Sequence, residues 1–205
     1  MNNEVNKSKI SVRRIAITGI LSALSIALNF TPLGFMLIPG LPVQITLMHI
    51  PVIIGAIIEG PFVGAFIGMV FGLTSLYTAV QQSALPIAFA FLNPLVSVLP
   101  RILIGIVAHY VYKGLNNIFK EKKQAISIGI TAAAGTLTNT IGVLGMIYIL
   151  YAKRYIEALV SWLGLPADTT PVYIFVSVVP NFIAELIASI LLCVPIVLAV
   201  KKIRK

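Results

Sequence analysis

Charge is what this sequence has least of: only 10% of its 205 residues are Asp, Glu, Lys or Arg. A soluble globular domain carries about 25%, so that class is excluded. The single cysteine, Cys193, lies inside an apolar run, which excludes a disulfide framework. The two histidines, His49 and His109, lie far apart with no cysteine or carboxylate spaced to join them as metal ligands. The dipeptide Gly-Lys never occurs, so no Gly-x-x-x-x-Gly-Lys phosphate loop exists, and no Gly-x-Ser-x-Gly nucleophile elbow is found. These absences predict a chain that hydrolyses no nucleotide and carries no nucleophile–base constellation. A membrane-embedded enzyme is therefore the weaker alternative.

What is present is hydrocarbon. Hydrophobic residues make up 59% of the sequence, and the mean hydropathy is +1.02. Six apolar segments, over residues 12–30, 46–58, 62–80, 95–115, 124–149 and 172–200, approach the roughly 20 residues that cross a bilayer. They predict a single all-α integral membrane domain of six transmembrane helices. The basic N-terminus followed by an apolar run resembles a signal peptide. The rest of the chain is equally apolar, so an uncleaved anchor is expected.

The net charge of +9 does not point to nucleic acid, because the basic residues gather at the ends of the apolar segments. Lys7, Lys9, Arg13 and Arg14 precede the first segment, Lys113, Lys120, Lys122 and Lys123 follow the fourth, and Lys201, Lys202, Arg204 and Lys205 close the chain. Only Lys153 and Arg154 fall on the other side. Six spans with both termini cytoplasmic satisfy the excess of positive charge inside.

Helix one carries Gly19, Ala23 and Ala27 at intervals of four, a ridge of small residues that another helix can approach closely. The partner of that ridge is either internal or external. Residues 31–43, TPLGFMLIPGLPV, hold three prolines and two glycines among apolar residues and are expected to fold back as a lid. Pro51 is expected to kink helix two. Gly60, Gly64, Gly68 and Gly72 predict close helix packing. Residues 153–163 place Ile156, Leu159, Val160 and Leu163 on one face, as for a short helix lying in the membrane interface.

Arg101 is the only Lys or Arg between Arg14 and Lys113. An arginine in the middle of a membrane helix costs about 2.5–3.5 kcal/mol on insertion scales, so it is expected to have a buried partner, a wet cavity or an anionic ligand. At about 1.5 Å per residue, Arg101, Asn139, Asn181 and Glu185 all fall in the outer half of the membrane. Two readings stand. Arg101 and Glu185 form a structural pair, or the four residues line an outward-facing solute pocket to which Gln44, Thr46, His49 and Asn93 contribute.

Residues 46–76, TLMHIPVIIGAIIEGPFVGAFIGMVFGLTSL, together with NPLVSVLPRILIGIVA and PNFIAELIAS, resemble the substrate-binding (S) component of energy-coupling factor (ECF) vitamin transporters. The resemblance covers nearly the whole chain. It implies high-affinity capture of a water-soluble vitamin from outside, in the cell membrane of a prokaryote. It also implies delivery through a shared module of one transmembrane coupling protein and two ATPases. Ala23 and Ala27 match the family's Ala-x-x-x-Ala docking surface. The Gly-Pro-x-x-Gly of residues 60–64 is similar to riboflavin-type members, but their acidic entry to helix two is replaced here by QITLMHIP. The overall pattern looks closer to pantothenate-type members. A carboxylate on the ligand would suit Arg101, and amide and hydroxyl groups would suit Asn139, Asn181 and Glu185. The other alternative, a stand-alone secondary transporter, predicts uptake without ATPase partners.

Overall fold

The computed structural model describes residues 12–31, 34–37, 44–119 and 123–203, with only the backbone course given for 35–37, 44 and 45. In chain order these form α1 (Val12–Phe30), β1 (Phe35–Leu37), β2 (Gln44–Thr46), α2 (Ile50–Glu59), α3 (Pro61–Gln81), α4 (Ala88–Phe91), α5 (Pro94–Ser97), α6 (Leu99–Phe119), α7 (Gln124–Leu163), α8 (Tyr173–Val176) and α9 (Val179–Ile203). The molecule is essentially all helical. Five of its helices are long and apolar enough to cross a membrane: α1, α3, the α5–α6 stretch, α7 and α9.

The expected second span is shorter than the sequence suggests. Residues 44–46 pair as a strand with 35–37, antiparallel and with Phe35 opposite Thr46, and α2 starts only at Ile50. Pro51 therefore sits in the first turn of α2 and not in its interior. There its missing N–H removes no helical hydrogen bond, so it starts the helix without kinking it. Ten residues of helix reach about 15 Å, half of a bilayer core. Every residue from Ile50 to Ile57 is buried, so α2 is the central post of the bundle. Its Val52, Ile53 and Ala56 meet Ile67 and Phe71 of α3, Ile104 and Ala108 of α6, Ile128 and Ala132 of α7, and Cys193 and Val197 of α9 in one apolar core.

Gly60 turns the chain from α2 into α3 at φ 102°, a backbone that side chains disfavour, with Pro61 opening the next helix. The glycine row of α3 then lies directly on α6. A methyl on Gly68 would stand 2.1 Å from the backbone oxygen of Arg101, and one on Gly72 would stand 2.6 Å from Cα of Val98. Gly64 faces Gly105 in the same way. This is close packing of backbone on backbone, and it fixes the height at which Arg101 leaves α6.

Three further boundaries differ from expectation. The fourth segment is not one helix: the chain breaks at Val98 into α5 and α6, with Pro100 in the first turn of α6. The sixth segment likewise divides into α8 and α9 before Pro180. The fifth segment and the expected interfacial helix are one continuous helix of 40 residues, closed by Gly164 at φ 66°. No proline or glycine lies between Met146 and Leu163 to stop it. At about 60 Å α7 exceeds the hydrocarbon thickness of about 30 Å. Of the apolar face assigned to the interface, Ile156 and Leu159 pack inward and, with Tyr155, join Ala90, Val96, Val143, Ile147 and Ile174 in a second apolar cluster, while Leu163 stays exposed.

Candidate functional site

A cavity of about 330 Å³ opens between the middle of α7 and the ends of α1, α3, α6 and α9 that lie away from the α2–α3 turn, beside strand β2. Arg101, Asn139, Asn181, Glu185 and Thr46 all line it, so five of the eight ligand-site residues read from the sequence converge. Met48, Phe71, Val143, Leu144, Val178 and Phe182 supply apolar wall between the polar groups. This mix of mostly apolar surface with a few placed polar groups, and a volume at the low end of the usual 300–1,000 Å³, is that of a small-ligand site.

Arg101 is 6% exposed and comes from the first turn of α6. One terminal nitrogen, Nη1, donates to the carbonyl of Val96 at 2.6 Å, and the guanidinium carbon lies 5.4 Å from the centre of the Phe71 ring. Its Nε is buried without a partner. Glu185, 8% exposed on α9, uses Oε1 to accept from the backbone N–H of Thr46 at 3.0 Å. The two opposite charges act on one another across the cavity. They do not approach within the 4.0 Å of a salt bridge. The structural-pair reading of the sequence thus describes neither residue fully, since each has a different nearest partner. Asn139 on α7 adds a buried Oδ1 that makes no hydrogen bond.

The remaining three residues lie elsewhere. His49 is fully buried at the start of α2, where Nε2 meets the Thr136 hydroxyl at 3.0 Å, and Thr136 in turn donates to Ser189 at 2.9 Å. None of the three lines the cavity. They form a polar layer about one helical turn below Asn139 and Glu185. Asn93 caps α5, accepting from the N–H of Leu95 at 2.9 Å and donating to the Tyr151 hydroxyl at 3.0 Å, and it does not line the cavity either. Gln44 lies in β2, with its side chain outside what the structure describes. Of the expected lid, 32–33 and 38–43 also lie outside the described residues. What is described is a hairpin anchored at both ends. Gly34 passes so close over α1 that a methyl there would stand 1.9 Å from the carbonyl oxygen of Leu28, and the Leu47 N–H donates to the Gly34 carbonyl.

Sequence reasoning missed the wall contributed by α1 and α3. Asn29, Ser75, Thr78 and Gln82 line the cavity, as does Thr140 on α7. The signal was legible: Ser75, Thr78 and Gln82 recur at intervals of three and four at the end of an otherwise apolar helix, which puts them on one face. The glycine row on the same helix drew the reading toward packing alone.

The small-residue ridge of α1 points away from all of this. Gly19, Ala23 and Ala27 are exposed, while the buried face of α1 consists of Ser22, Ser25 and Asn29. Beside Gly19, an apolar groove runs along Ile15, Thr18, Phe62, Val63 and Phe66. Among the described residues, no group of three His, Cys, Asp or Glu converges that could hold a metal ion.

Comparison with known proteins adds the family. The model described as "ECF transporter, substrate-specific component" matches residues 13–197. The pantothenic acid transporter PanT of Lactococcus lactis subsp. cremoris (strain MG1363) is 34% identical over 214 residues, covering 98% of this chain and 98% of that one. The pantothenate transporter PanT of Leuconostoc mesenteroides subsp. mesenteroides is 27% identical over 168 residues, covering 80% of this chain and 78% of that one. The family and these relatives are transporters, not enzymes.

Proposed function

This chain belongs to the ECF transporter substrate-specific components, and we propose that it captures pantothenate in the cavity around Arg101 and hands it to an ATP-driven coupling module. The observation that carries the choice of ligand is the state of Arg101. It is a buried cation facing a small cavity, with Nε unpartnered and, among the described residues, no carboxylate closing on it as an ion pair. A carboxylate ligand supplies the missing anion through charge-assisted hydrogen bonds. Asn139 and Asn181 face the same space with amide groups suited to the ligand's amide and hydroxyls. The two relatives whose names specify pantothenate support the same choice.

In this reading the chain is a multi-pass protein of a prokaryotic plasma membrane, with both termini cytoplasmic. Its six-helix arrangement counts α2 as a half-length member that does not cross alone. The cavity faces outward, and the hairpin of β1 and β2 closes over it. Partners are one transmembrane coupling protein and two ATPases, since the chain itself offers no phosphate loop. Gly19, Ala23 and Ala27, exposed on α1, form the docking face.

The test is ligand binding by the purified chain. Isothermal titration with pantothenate in the absence of ATP should show one site. Vesicles containing this protein alone should accumulate none. Failure to bind pantothenate, or uptake by those vesicles, would count against the reading.

A further inference from the structure

Asn29 and Thr78 stand on the cavity wall opposite in character to Arg101, and they are already bonded to one another. Asn29 Nδ2 donates to Thr78 Oγ1 at 2.7 Å and to the Thr74 carbonyl at 3.4 Å, so both protons of its amide are used. Its Oδ1 remains an acceptor, and the Thr78 hydroxyl, having accepted from Asn29, keeps its own proton to donate. One free acceptor beside one free donor matches a hydroxyl group, which is itself both. Neither Asn29 nor Thr78 carries a charge. Asn29 is 7% exposed, so water competes poorly there.

Arg101 and the Asn29–Thr78 pair line one cavity from different helices. Thr78 and Phe71 lie two turns apart on α3, and the guanidinium carbon of Arg101 lies 5.4 Å from the centre of the Phe71 ring. In pantothenate, eight bonds separate the carboxylate carbon from the terminal hydroxyl oxygen, about 9–10 Å when extended. We infer that Asn29 and Thr78 form a neutral subsite that reads the hydroxyl-bearing end of the ligand while Arg101 holds its carboxylate. This deepens, and rests on, the pantothenate reading above. It also makes the ligand span the cavity from α6 to α1, so that a shorter carboxylate such as β-alanine alone cannot fill both ends.

The experiment compares three ligands on the purified full chain by titration calorimetry: pantothenate, its analogue with the terminal hydroxyl replaced by hydrogen, and pantothenol, in which the carboxylate becomes an alcohol. The wild type should bind the deoxy analogue about 10-fold to 100-fold more weakly than pantothenate, the range for one buried hydrogen-bonded group. Thr78→Val, which preserves shape, should reduce that discrimination to about threefold or less while leaving the preference for pantothenate over pantothenol intact. Asn29→Leu should do the same, and Thr78→Ser should restore discrimination. Wild-type discrimination persisting in both Thr78→Val and Asn29→Leu would overturn the subsite but leave pantothenate as the ligand. A wild type blind to pantothenate would overturn both.

Discussion

Glu185 on α9 accepts a hydrogen bond from the backbone N–H of Thr46 at 3.0 Å, tying the last long helix to strand β2 across 139 positions of sequence. Thr46 is the residue at which the chain returns from the hairpin to the bundle. The carboxylate therefore anchors strand β2 beside the cavity, and in the proposed reading it tethers the element that closes over the ligand. A hydrogen bond to a charged group contributes about 1.5–3 kcal/mol. Glu185→Ala should accordingly speed ligand release about 10-fold to 150-fold, read as the dissociation rate of bound pantothenate. Glu185→Gln keeps an acceptor for the same N–H and should lose much less. Equal losses in the two variants would show that the negative charge itself, and not the tether, is what matters.

Arg101 makes the opposite prediction about charge. Arg101→Met keeps most of the side chain's length and apolar contact with Phe71 but removes the cation. Affinity for pantothenate should fall by about 1.5–3 kcal/mol, with the protein still extractable and folded. Because the two charges do not close on one another, removing both should not restore function. Arg101→Met combined with Glu185→Leu is expected to fold and to bind no better than Arg101→Met alone. Recovery of binding in the double variant would mean that the pair serves only the bundle.

The packing of α3 on α6 gives a third prediction. A methyl at Gly68 would need the space now held by the Arg101 backbone oxygen, 2.1 Å away. Overpacking of this kind costs about 1–3 kcal/mol, and here the backbone that must retreat carries Arg101. Gly68→Ala should lower both thermal stability in detergent and ligand affinity. Gly19→Ala is the matched control, since nothing lies within 4 Å of its added carbon. It should leave both measurements almost unchanged. A Gly68→Ala protein as stable as the wild type would refute the close approach.

Most of this architecture could be read from composition, because a helix that crosses lipid must be apolar along its whole length and announces itself. Arg101, Asn139, Asn181 and Glu185 were legible for the complementary reason: polar groups amid hydrocarbon are expensive and stand out. The errors fell where sequence periodicity is ambiguous. The apolar run places the start of helix two at Thr46, yet Gln44–Thr46 pair as a strand with Phe35–Leu37 and the helix begins only at Ile50, a long-range choice that local pattern does not encode. The residues KRYIEALVSWL read as a separate interfacial helix because Ile156, Leu159, Val160 and Leu163 share one face and the charges lie elsewhere. In the fold they extend α7 and bury Tyr155, Ile156 and Leu159 against α4 and α8. Thr78 shares a polar face with Ser75 and Gln82 that the sequence shows, whereas its pairing with Asn29 of α1 rests on a 2.7 Å contact between distant segments that local pattern does not encode.

The last prediction separates capture from coupling. The exposed ridge of Gly19, Ala23 and Ala27 gains nothing from facing lipid, since lipid tails are as apolar as leucine. Its advantage is close van der Waals contact with another helix. Among the described residues the ridge is exposed, and α1 packs inward through Ser22, Ser25 and Asn29. In the proposed reading that exposed face receives the coupling protein. Replacing both Ala23 and Ala27 with Trp puts two large rings on a face that meets nothing inside the bundle. Pantothenate binding by the isolated protein should change less than about threefold, below the 1 kcal/mol that marks a disturbed core. Uptake by cells, and co-purification with the coupling module, should fall at least tenfold. Asn29 sits only two residues beyond Ala27 but on the buried face, so its ligand contact should survive the substitution. If binding collapses together with uptake, α1 packs inside the bundle in the membrane and the docking face lies on another helix.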